Sequence, residues 1–244
     1  MSESVHNHNR SIISREDLWD LMKQLHPDLS RESMDWFVYN CQEQNIFKRI
    51  GRNMYTLAGS ELDKEPYVPG ETKEVREVRT ILDRSGTEFN YQIWDSGQLE
   101  EFMPDCRTLP RIVITEVEKG QMEQAFDLLR RQLLRSVQFK PDRRYFKKYM
   151  EEGAVIVLPL PSESPRHRSE PHAVRLEKLL VDLLANKLLL ELIDEESRTA
   201  VYRTAFDCYL VDESTLFRYA RRRNKEAVVR EFIRDHAGIQ LLGE

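Results

Sequence analysis

Apolar and polar positions along this chain fall into blocks, and the period of each block predicts an element. Near the N-terminus Leu18, Leu21, Met22 and Leu25 recur at helical spacing. Met34, Phe37, Val38 and Cys41 then give the i, i+3, i+4, i+7 stripe of a helix with one buried face. Ser14, with Asp17 three residues on, starts the first helix as a weakened capping box. His26-Pro27-Asp28 stops it, because proline disfavours a helical conformation in the residue before it. Ser30 starts the second helix. Two helices joined by so short a turn fit a helix-turn-helix. Residues 46–50 (IFKRI) and 54–57 (MYTL) read as strands around Gly51-Arg52-Asn53, a turn in which Gly and Asn tolerate positive φ. A hairpin directly after the second helix is a wing, so residues 11–58 are expected to form a winged helix-turn-helix.

Residues 59–72 (GSELDKEPYVPGET) hold two Pro and two Gly among acidic residues and read as the linker. Beyond it, residues 71–84 predict a charged helix with Val75, Val78, Ile81 and Leu82 on one side. Residues 88–94 alternate with period two and predict a strand; residues 111–117 (RIVITEV) and 154–158 (AVIVL) are apolar and β-branched enough for buried strands. An amphipathic helix over residues 120–137, with Met122, Phe126, Leu129, Leu133 and Leu134 inward, and a short helix over 142–151, rich in Lys, Arg and Tyr, separate these two strands. A helical crossover predicts that they pair in parallel. Residues 159–172 form a long loop with four prolines, and Arg166, His167 and Arg168 sit at its tip. From residue 174 onward the pattern is helical. The expected class is therefore α+β or α/β: a winged helix at 11–58, then a domain over 73–244 with a small sheet and a helical C-terminal half.

Composition narrows the setting. The chain has 244 residues, 40% hydrophobic and 32% charged, a globular balance. Its net charge of −5 gives no whole-molecule attraction to nucleic acid, so any such contact must be local. Cys41, Cys106 and Cys208 are far apart and have neither metal nor redox spacing, which predicts reduced thiols and a cytoplasmic protein. Residues 1–10 are polar, unlike a signal peptide, and are expected to be a disordered tail. No apolar run approaches the ~20 residues that span a bilayer, so no membrane partner is expected. No P-loop, zinc spacing or Ser/His/Asp set appears, so neither a cofactor nor a metal is expected.

The chemistry-bearing candidates lie on the winged helix. Arg31, Trp36 and Tyr39 are expected on the outer side of the second helix, the side that enters a major groove in this motif. Lys48, Arg49, Arg52 and Asn53 at the wing suit a phosphate backbone. Duplex DNA is the partner this implies. Against it stand Glu32 and Asp35 near the start of the reading helix. Residues 1–62 also carry seven Lys and Arg against nine Asp and Glu. Winged helices also dock proteins, and an adaptor role stays open beside DNA binding. At the other end, Arg221, Arg222, Arg223 and Lys225 read either as a second basic patch for a partner or as cations that a helix C-terminus favours.

Three passages carry a resemblance. WFVYNCQEQNIFKRIGRNMYTL (residues 36–57) is similar to the winged-helix end of AbiEi-type antitoxins, bacterial transcriptional regulators of type IV toxin–antitoxin and abortive-infection systems. RLEKLLVDLLANKLL (175–189) and YLVDESTLFRYARRRNKEAVVREF (209–232) resemble segments of a related AbiEi-like group. Trp36, Tyr39, Arg49, Gly51, Arg52 and Tyr55 match the first pattern, while Asn53 stands where that family usually has Gly. Glu177, Lys178 and Asp182 match the second, and Tyr219, Ala220, Arg222 and Arg223 the third. The resemblance implies an operator-binding N-terminal domain. It also implies a C-terminal domain for homodimer or partner contacts, with a nucleotidyltransferase-type toxin as the candidate partner.

One enzyme constellation needs weighing. Pro104-Asp105 followed by Glu116, Glu118 and Lys119 at a strand end approximates the PD-(D/E)xK arrangement, in which two acids hold Mg²⁺. The spacing is wrong, because side chains alternate along a strand: Glu116 and Glu118 would share a face and Lys119 would turn away. A degenerate nuclease-like fold without catalytic residues is the expectation. Glu177, Lys178 and Asp182 read either as a polar site or as a structural ion pair, since Lys178 and Asp182 are four apart on a helix.

Overall fold

The structure, a computed structural model, describes residues 12–59, 64–103, 109–167 and 170–242. The expected disordered tail, Pro104, Asp105, Cys106, Arg168 and part of the expected linker lie outside the described residues.

The chain opens with β1 (Ile12–Ser14), α1 (Arg15–Leu25), α2 (Arg31–Glu43), β2 (Phe47–Gly51) and β3 (Met54–Leu57). The three strands are antiparallel in the order β1-β3-β2. A helix pair closed by a small sheet whose last two strands form a hairpin is a winged helix-turn-helix. Its core is Leu18, Met34, Val38, Cys41, Phe47 and Tyr55, drawn from the two stripes and the hairpin. Ser14 caps α1 through a full capping box: its hydroxyl accepts from the Asp17 amide at 3.0 Å, and the Asp17 carboxylate accepts from the Ser14 amide at 3.0 Å. Asn53 sits at the hairpin tip with φ 56°, the left-handed geometry that the turn requires.

The second sheet has four strands in the order β4-β5-β7-β6: β4 (Tyr91–Asp95), β5 (Ile112–Val117), β6 (Val137–Phe139) and β7 (Ala154–Pro159). β4 is antiparallel to β5, while β5, β7 and β6 run parallel. Strands covered on both faces are apolar throughout rather than alternating; β7 has that composition, and β5 has it apart from the buried Thr115 and Glu116. Val113, Val117, Val155 and Val157 meet α3 (Lys73–Asp83) and α4 (Met122–Gln132) on one face. Ile112, Ile114 and Ile156 meet the C-terminal helices on the other. Those helices are α6 (Leu176–Ala185), α7 (Lys187–Leu192), α8 (Glu195–Cys208), α9 (Glu213–Arg222) and α10 (Glu226–Glu231), which runs into a π-turn at Phe232–Ala237. α5 (Arg143–Tyr149) crosses from β6 to β7 on this second face, where its Phe146 joins the same core. The α+β class, the small sheets and the helical C-terminal half stand as the sequence predicted.

The chain departs from its expected elements at β1, a strand not expected ahead of the first helix, and at β6. The helix expected over 120–137 stops at Gln132, and the chain turns extended at Leu133 to make the edge strand β6. Leu133 is buried but Leu134, expected inward, is fully exposed. Nor is the wing free on both sides. Strand alternation sends Lys48 and Ile50 toward the C-terminal helices, where Ile50 is buried beside Val211 and Leu242.

Candidate nucleic-acid interface

α2 buries Met34, Val38 and Cys41, so its opposite side faces out. Trp36 is 67% exposed, Tyr39 is 57% exposed and Arg31 is exposed at the N-terminal end. In the wing, Arg49, Arg52 and Asn53 are exposed, and Arg49 Nε donates to the Gly51 carbonyl at 3.1 Å. A cleft of about 590 Å³ opens between α1, the start of α2 and the hairpin tip. Arg15, Trp19, Arg31, Asp35, Arg52 and Asn53 line it. The fold thus brings Arg31 and Arg52, distant in sequence, to one concavity. Arg15 and Trp19 also belong there, beyond what the sequence pattern indicated; Arg15 follows the Ser14 cap directly, which was the available signal. Arg15 is engaged in an ion pair with Asp35, so one acid of α2 is neutralised within the fold.

Lys48 does not join this surface. Its side chain is only 10% exposed and its ammonium lies 2.8 Å from Glu65. The cause is the alternation of β2, which points Arg49 out and its neighbours inward.

The C-terminal basic group is likewise divided. Arg221 pairs with Glu226 at 3.5 Å, and Arg222 reaches Ser162 and, at 3.8 Å, Glu163. Arg223 turns inward and is no part of an outer patch. Its guanidinium donates to Asp182 Oδ1 at 2.6 Å and to the Tyr219 hydroxyl at 3.0 Å. Tyr219 and Arg223 are four apart, so both look toward α6. Lys225, half-buried, begins α10.

Asp182 belongs to a buried polar cluster between β5, α6 and α9. Lys178, with no exposed surface, pairs with the Asp182 carboxylate and lies 2.5 Å from Glu116 Oε2. The Tyr219 hydroxyl donates to Asp182 at 3.1 Å. Burial opposes the charge on Lys178, but the Asp182 and Glu116 carboxylates outweigh it and raise its pKa above the ordinary value. Burial pushes the Glu116 carboxyl up, against the pull of Lys178. Glu177 is held apart from this group: it binds Arg175 at 2.8 Å and accepts from the Asp212 amide at 3.0 Å, tying α6 to the start of α9.

Of the nuclease-like pattern, Glu116, Glu118 and Lys119 lie among the described residues. Glu116 faces α6 and is sealed against Lys178, while Glu118 accepts from the Asn90 amide group at 2.9 Å at the strand end. Among the described residues no group of three or more His, Cys, Asp or Glu is placed to hold a metal ion, and no helix is long and apolar enough to cross a membrane. Cys41 and Cys208 are free thiols.

No curated protein matches the chain. A family model described as "Family of unknown function (DUF6577)" matches residues 33–238, from the first turn of α2 through the wing, both sheet faces and the last helices. The match takes in most of α2, the hairpin and nearly all of the chain beyond it, and the chain belongs to that family.

Proposed function

We propose that the protein is a DNA-binding transcriptional regulator that reads duplex DNA with α2 and grips its backbone with the wing. The observation that carries this is the meeting of Arg31 with Arg52 and Asn53 around one cleft, with Trp36 and Tyr39 of α2 and Arg49 of the hairpin exposed as well. The resemblance of residues 36–57 to AbiEi-type antitoxins supports an operator in the protein's own operon, with a nucleotidyltransferase-type toxin as partner. In this reading the protein acts in the bacterial cytoplasm, without catalysis, and the sealed Glu116 supports that.

A gel shift on the DNA upstream of its gene, across a salt series, tests the proposal. Arg31, Arg49 and Arg52 make about three phosphate contacts, which gives a log–log slope near −3 per subunit. A second reading, an adaptor whose winged helix docks protein, draws on Leu21, Leu25, Trp36 and Tyr39, all more than half exposed, and on the engagement of Lys48 by Glu65. No retardation of any duplex at low salt, together with a partner retained by α2, would replace the first reading with the second.

A further inference from the structure

The densest positive charge in the molecule lies away from the wing. Residues 130–148 hold eight Lys and Arg and one acid, Asp142, in a chain whose net charge is −5. Seven of the eight are exposed: Arg130, Arg131, Lys140, Arg143, Arg144, Lys147 and Lys148. Only Arg135, Arg143 and Lys147 have an acidic partner among the described residues, Glu77 for the first and Glu191 for the other two.

The fold gathers these cations around one edge. β6 is the outer strand of the sheet, α4 ends on one face of it and α5 lies on the other. The Phe126 and Phe139 rings pack at 5.2 Å across the junction of α4 and β6. Arg130 lies over the first ring at 5.6 Å and Lys140 over the second at 4.8 Å, so cations from two elements share one aromatic platform. On α5, Tyr145 and Tyr149 are each about half exposed, with ring centroids 4.8 Å apart, and Lys148 sits 5.0 Å from the Tyr149 centroid. A cationic track beside solvent-facing rings is the composition of a single-strand surface: phosphates follow the charges and unpaired bases stack on the aromatics. A duplex hides its base faces and would leave the tyrosines unused. Guarding an edge strand against pairing needs only a charge or two, fewer than stand here.

We propose that the β6 edge with α5 is a binding surface for single-stranded nucleic acid, with Tyr145 and Tyr149 as stacking platforms and Arg130, Lys140, Arg144 and Lys148 as phosphate contacts. The surface is separate from α2 and the wing, and the inference stands without the regulator reading.

The test is fluorescence anisotropy of the full chain with a labelled oligothymidylate of about 20 nucleotides, a hairpin duplex and anionic vesicles, across a salt series. The wild type binds the single strand in preference to the other two. Tyr145→Ala with Tyr149→Ala weakens that binding at least about tenfold and leaves the salt slope unchanged, while Tyr145→Phe with Tyr149→Phe retains it. Arg144→Ala with Lys148→Ala flattens the slope by about 1.4. The Phe pair controls for folding, since it keeps the rings and the packing. Absence of single-strand binding at low salt overturns the proposal, as does equal affinity across wild type and variants. Preference for the hairpin or for vesicles overturns it equally.

Discussion

Lys178 has no exposed surface, and its charge is tolerable chiefly because the Asp182 carboxylate pairs with it, with Glu116 alongside. Removing one partner of a buried ion pair leaves a stranded charge and costs about 3–5 kcal/mol. Asp182→Asn is expected to cost that much in urea unfolding, since Asp182 serves Lys178, Tyr219 and Arg223 at once. Glu116→Gln should cost clearly less, because burial already pushes that carboxyl toward its neutral form. The pH dependence has a definite sign. A carboxyl whose folded pKa is raised stabilises fully below its ordinary value of about 4.3, and that contribution is lost as pH rises through the folded value. Glu116→Gln should therefore flatten the decline of stability with rising pH over that window. Lys178, also raised, contributes from acid pH up to its ordinary value near 10.4 and beyond, and loses the contribution only above that. Equal costs for the two variants, or an unchanged pH profile, would refute this account. The pairing of Lys178 with Asp182 was legible in their spacing of four. The parts played by Glu116, Tyr219 and Arg223 were not, because only the packing of β5, α6 and α9 brings them there.

At the scale of elements, two short segments show what periodicity resolves and what it misses. The β2–β3 hairpin was legible from Gly51 and Asn53, yet the side its cations face depended on which strand face meets the C-terminal helices. β6 was lost inside the helix expected over 120–137, because Leu133 and Val137 fit either continuation and nothing in between breaks the pattern. Once β6 is an edge strand, α5 becomes a crossover helix held in place by its cap. The Tyr145 amide donates to Asp142 Oδ1 at 2.7 Å. Asp142→Ala removes the cap, at a cost of about 1 kcal/mol, and lets the start of a seven-residue helix fray. Asp142→Asn keeps the cap and removes the only acid of the strip. Single-strand affinity is expected to fall in the first variant and rise modestly in the second, read by the same anisotropy assay. If both variants shift together, charge alone governs the surface and the helix geometry is irrelevant.

At the scale of the whole molecule, a negative chain offers two cation-bearing faces of different character. The winged-helix face sets scattered arginines beside a helix and a hairpin tip, a shape suited to duplex grooves. The β6–α5 face sets dense charge beside open rings, suited to unstacked bases. These chemistries predict a double dissociation. Arg49→Glu with Arg52→Glu should abolish duplex retardation and leave oligothymidylate binding within about twofold, since screening at physiological salt, over about 8 Å, isolates one exposed face from another. Arg144→Ala with Lys148→Ala should do the reverse. Loss of both activities in either variant would mean that one continuous surface serves both strands. Loss of neither in the wing variant, with duplex still retarded, would move the DNA contact off the winged helix and leave that domain to protein docking through Trp36 and Tyr39.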